Sequence, residues 1–188
     1  MKPFSPYPLL QTALIAIAIA VPAIAAAEPK QEIHRVGVRA DDGSGWHLAV
    51  STKGSFSVLL PMPFNDFTIS GGATEETTYG VGGKSTEGIK FAAVELLPGG
   101  KALPDLASVP KSLATAANTV SDVSRGRKGD ADILTLSVTN ATTVLYMRCI
   151  QLGGVRYIMT IESPNAFREW VAANKDRFFD SFKLKAKS

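Results

Sequence analysis

The sequence predicts an α+β domain: an antiparallel sheet of short strands with a mid-chain helix and a C-terminal helix packed on it. Three observations carry this expectation. Leu134, Leu136 and Val138 alternate with Thr135, Ser137 and Thr139, the period of a half-buried strand. Gly153-Gly154 separates the apolar runs "VLYMRCIQL" and "VRYIMTIES", as a two-residue hairpin turn does, with glycine at both positions that need positive φ. Phe167, Trp170, Val171, Asn174 and Phe178 then fall at helical spacing behind a Ser163 cap and Pro164 at the first helical position.

The elements follow in order. Lys2, the apolar run from Leu9 to Ala20 and the small residues to Ala27 describe a secretory signal peptide over 1–27. Ala23-Ile24-Ala25 and Ala25-Ala26-Ala27 both fit the cleavage pattern; we favour cutting after Ala27, with Glu28 the first mature residue. Pro22 and the alanine-rich end argue against an uncleaved anchor, and no cysteine near the site offers a place for a lipid. The expected location is therefore the periplasm or the outside of the cell, with no membrane attachment after cleavage.

Residues 28–45 read as a polar arm ending in the turn "RADDGSG", and 46–188 as one domain. "WHLAV" and "FSVLLP" read as strands, the second stopped by Pro61 and Pro63. "FTIS" (67–70) is a weak strand, "YGVGGKSTEG" a glycine-rich connection, and the run from Ile89 a stronger strand. Ser108 to Val123 reads as the mid-chain helix, because Leu113, Ala116, Ala117 and Val120 form one stripe. "RGRKGD" closes it as a solvated basic loop.

Composition excludes some function classes. A net charge of +3, with 20 basic and 17 acidic side chains, gives no electrostatic case for nucleic acid. The lone Cys149 cannot close an internal disulfide and reads as a small buried hydrophobe. No cofactor and no metal are expected, since His34, His47 and Cys149 are too scattered to be clustered ligands. "GGKST" resembles the end of a phosphate loop, but that motif needs glycine at position 78, where this chain has Thr78, and a helix beginning at the lysine. No G-x-S-x-G is present, and no catalytic residues are assigned. Two residues are candidates for a cleft. Arg148 lies within an apolar strand, where a buried guanidinium needs a partner such as Glu95 or Glu162. His47 is one of two histidines that could serve a hydrolase.

Taken together, "GSFSVLLPMPF", "LYMRCIQLGGVRYIMTIES" and "RFFDSFKL" resemble the PsbP-like family. That family holds the extrinsic PsbP subunit of photosystem II, a Ran-binding nuclear-import factor and small exported bacterial proteins. The resemblance runs from Trp46 to Leu184 and implies an α/β/α sandwich with a non-catalytic binding or accessory role. A signal peptide is incompatible with the nuclear role. The expected partner is a protein or small molecule, with a periplasmic hydrolase or a small-molecule carrier as the alternatives.

Overall fold

The computed structural model describes residues 29–185, apart from 42, 72–75 and 101. Processing residues Ala27 and Glu28 lie outside the described residues. Among the described residues, eleven strands and two α-helices follow one another: β1 (Lys30–Val38), β2 (His47–Val50), β3 (Phe56–Leu60), β4 (Phe64–Ser70), β5 (Thr77–Lys84), β6 (Lys90–Leu97), α1 (Val109–Leu113), β7 (Thr119–Lys128), β8 (Ala131–Thr139), β9 (Thr143–Leu152), β10 (Val155–Pro164), α2 (Arg168–Asp180) and β11 (Lys183–Leu184). Eight strands form one antiparallel sheet in the order β1-β4-β5-β6-β10-β9-β8-β7, and β11-β3-β2 form a second.

Register assigns side chains to the two faces of the large sheet. Leu134, Cys149, Ile158, Val94, Gly80 and Phe67 make one cross-strand row. This row belongs to a core closed by the short helical segment at Leu106, Val109 and Leu113. On the opposite face Val81, Phe91, Met159 and Ile161 pack against the small sheet and α2, through Phe56, Val58, Val171 and Phe178. The large sheet is thus covered on both sides, which is why its central strands are apolar at successive positions.

"FSVLLP" and "RFFDSFKL" meet in space. Lys183 and Leu184 pair with Ser57 and Phe56, and the Phe182 ring stacks on Phe56 at 6.1 Å. Ser181 Oγ accepts from the Leu59 amide at 2.8 Å, and the Lys185 amide donates to Ser55 at 2.8 Å. The 181–185 segment is fastened to β3 and the residue before it, β3 being the middle strand of the small sheet.

Several sequence expectations are corrected. The polar stretch after Glu28 carries β1, which pairs with β4 along the sheet edge. Arg35 fixes it there, donating from Nε (3.0 Å) and Nη2 (2.7 Å) to the fully buried Asp66. The strand expected at 67–70 begins at Phe64. "YGVGGK" is no loose connection: Tyr79 to Lys84 belong to β5, paired on both sides. Glycine serves there because neighbours come too close for a Cβ. One added at Gly83 would stand 2.6 Å from the Pro63 carbonyl oxygen.

The mid-chain helix is short. Only 106–113 are helical, and Thr119 to Lys128 form the edge strand β7, so "RGRK" is strand with exposed side chains. Pairing of β7 with β8 satisfies backbone groups that a longer helix would satisfy internally, and Val120 reaches its core as a strand residue. Pro164 ends β10, a 3-10 turn spans Asn165–Phe167, and Ser163 donates to the Pro164 carbonyl instead of capping a helix. At the hairpin only Gly153 has positive φ (58°), as in the turn type where the first central residue alone requires glycine. Trp170, which its spacing puts on the same helical face as Val171 and Phe178, is nevertheless 44% exposed at the rim of α2.

Candidate functional site

Residues at i, i+2 and i+4 of a strand share a face, so β9 presents Arg148, Ile150 and Leu152 together. Ile133 of β8 and Tyr157 of β10 stand opposite Ile150 on either side. Helix α2 crosses this face and leaves through Phe179, Asp180, Phe182 and Leu184 without covering the β8–β9 end. The uncovered end is an open groove of about 510 Å³, walled by the sheet on one side and the α2 exit on the other. Its surface is mainly apolar, with Lys128 and the Arg148–Asp180 pair at the rim.

Arg148 is held firmly. Its guanidinium carbon lies 4.9 Å from the Phe179 ring centroid, and Nη1 donates to Asp180 Oδ1 at 2.6 Å. Asp180 is largely exposed, so the ion pair itself contributes only about 0.5 kcal/mol, and stacking on Phe179 about as much again. Arg148 Nε is buried and has no hydrogen-bond partner among the described residues. The carboxylates expected beside it are engaged elsewhere. Glu162 accepts from Lys90 Nζ at 2.8 Å. Glu95, buried, accepts from the Ser55 amide at 2.5 Å and from its hydroxyl at 3.1 Å.

Ser55 Oγ also meets the Tyr157 hydroxyl at 2.8 Å, so the groove floor ends in a Tyr157–Ser55–Glu95 chain. Burial pushes the Tyr157 phenol above its ordinary value; the Ser55 bond opposes that shift and the Glu95 charge adds to it. The phenol therefore stays protonated and available for hydrogen bonding at neutral pH. Sequence reasoning singled out Arg148 and noted Phe179 and Phe182, but it missed Tyr157, Ser55 and Asp180. Those residues become neighbours only through strand register and helix placement.

His47 lies apart from this groove. It is half-buried in β2 opposite Leu60, and its Nδ1 has no hydrogen-bond partner among the described residues. The other histidine, His34, bonds the Thr68 hydroxyl at 2.7 Å. Among the described residues no group of three or more His, Cys, Asp and Glu could hold a metal ion. None of the described helices is long and apolar enough to cross a membrane.

Fold and groove together define an α+β protein, dominated by antiparallel sheet, with an apolar cleft beside its C-terminal helix. No family model matches the chain, and no curated protein matches it. Among solved structures, it aligns with that of LpqN, described as involved in cell envelope biogenesis of Mycobacterium tuberculosis. The alignment has a TM-score of 0.35 and 9% identity, covering 85% of this chain and 92% of LpqN, too distant to carry an argument.

Proposed function

We propose that this chain is an exported binding or accessory protein of PsbP-like architecture, non-catalytic, which holds an apolar group of its ligand in the groove beside α2. The observation that carries this reading is the groove itself: about 510 Å³ of open space between sheet and helix, with Ile133, Ile150 and Leu184 on its walls. A polar rim over an apolar floor orients a ligand while burial supplies the affinity. The side-by-side placement of "FSVLLP" and "RFFDSFKL" supports the PsbP-like reading, because the segments carrying the resemblance form one packed unit. Export rests on the 1–27 segment, with cleavage between Ala27 and Glu28.

The test is native mass spectrometry of the protein recovered from the periplasm, beside a Leu184→Glu variant. Leu184 is 45% exposed, so the variant is expected to fold. The expected result is a mature chain beginning at Glu28, carrying a bound molecule or polypeptide that Leu184→Glu loses. Equal loading of both proteins, or none in either, overturns the groove reading. Retention of 1–27 overturns the export reading.

A further inference from the structure

The opposite face of the sheet carries a second site. Strand register puts Gln151 of β9 beside Arg156 of β10, with Asp132 of β8 on the other side of Gln151. The segment 103–107 passes over this end of the sheet, leaving a groove of about 330 Å³ whose lining includes Arg125 and Arg156.

Arg156 is only 6% exposed, and a buried guanidinium normally has a carboxylate in contact. Here its contacts are neutral. Nε donates to Gln151 Oε1 at 3.0 Å and Nη2 donates to the Pro104 carbonyl. Gln151 is oriented for this by its own Nε2, which donates to Gly153 and Val155 carbonyls at 2.9 and 3.1 Å. Arg125 makes one long bond, from Nη2 to the Ala107 carbonyl at 3.4 Å. Among the described residues no carboxylate forms an ion pair with either arginine. Arg156 Nη1 and Arg125 Nε and Nη1 make no hydrogen bond to them either. Burial pulls the Arg156 guanidinium below its ordinary value, while Cys149, Asp105 and Glu76 pull the other way through space.

We propose that this groove binds an organic monocarboxylate, its carboxylate held by Arg156 and Arg125 and its apolar body against Leu103, Leu106 and Leu134. A carboxylate supplies the charge that the buried guanidinium lacks, and guanidinium geometry suits it. The acidic groups at the site set the charge limit. Asp105 receives the Ala107 amide at 2.9 Å, and Asp132 stands 3.8 Å from Arg127. With two carboxylates already lining the groove, a dianion such as phosphate is repelled more than a single carboxylate. This site lies on the other face of the sheet from the groove beside α2, and Ile133 is common to both linings.

The test is calorimetric titration of the full mature chain with benzoate, neutral benzamide and inorganic phosphate. Saturable benzoate binding is expected, with benzamide and phosphate weaker. Arg125→Gln, on the exposed edge strand, should keep the fold and weaken benzoate by about tenfold or more. Leu184→Glu should leave benzoate affinity unchanged. Arg156→Lys, if folded, should also bind benzoate less well, because the fork is lost. The proposal is overturned if benzoate gives no saturable heat, if benzamide or phosphate binds as tightly, or if Arg125→Gln binds like the parent. A change on Leu184→Glu alone would assign benzoate to the other groove and equally overturn it.

Discussion

Phe67 lays its ring against the backbone of Gly80, so closely that a Cβ on Gly80 would stand 2.4 Å from Phe67 Cζ. The two residues face each other across the β4–β5 pairing, and Phe67 is only 2% exposed. Gly80→Ala should therefore destabilise the protein by about 1–3 kcal/mol, because the ring has no room to swing away. Gly83→Ala should cost at least as much, since it meets the Pro63 carbonyl, which is backbone. Urea unfolding measures both; midpoints within error of the parent would show that the approach relaxes freely.

Lys84 ends the same strand but is exposed. Lys84→Ala should change stability by no more than about 0.5 kcal/mol. A large fall in the same urea experiment would assign the lysine a structural role that its exposure denies.

The N-terminal edge strand depends on a buried charge. Asp66 Oδ2 accepts from Arg35 and from the Thr52 amide at 2.9 Å, and a carboxylate left buried without its cation is costly. Arg35→Met should destabilise by about 1–3 kcal/mol, moderated because Arg35 is partly exposed. The same change in an Asp66→Asn background should cost less, and amide exchange should show β1 opening first. Additive effects of the two substitutions would remove the pair from the account of β1.

Cys149 gives a pH dependence. Burial pushes its thiol from 9.0 up to about 11, with the Arg156 charge acting in the opposite direction. The folded state thus favours the protonated thiol. This contribution is fully present below pH 9 and is lost as pH rises from 9 towards 11. The stability of Cys149→Ala should accordingly fall less over that interval. A thiol reagent at pH 8 should leave the native protein unlabelled and react once it is unfolded. Rapid labelling of folded protein would contradict the burial.

The sequence was most legible where one residue pattern had one structural solution. The alternation at Leu134, Leu136 and Val138 became β8, the Gly153-Gly154 turn joined β9 to β10, and the C-terminal aromatics became α2. It misled where stability comes from a neighbour. The 108–123 stretch carries an apolar stripe at helical spacing, yet from Thr119 onward the chain becomes strand, because the β8 edge offers its backbone a partner. The "GGKST" run resembles the end of a phosphate loop and "YGVGGKSTEG" reads as a connection; Tyr79 to Lys84 are strand because β4 and β6 pair with them, and glycine stands at 80, 82 and 83 because Phe67, Phe91 and Pro63 leave no room for a Cβ.

For the candidate groove, Arg148 stood out as a charge inside an apolar run, but its partner Asp180 is 32 residues away on a different element. By itself, the sequence determined the α+β composition, the place of the β9–β10 turn and the apolar faces of β8 and α2, because these depend on local periodicity and backbone preference. Only the tertiary structure decided which strands became edges, which carboxylate met which arginine and where the sheet was left uncovered. Those depend on strand register and on the path of α2, which bring together residues that no spacing along the chain connects.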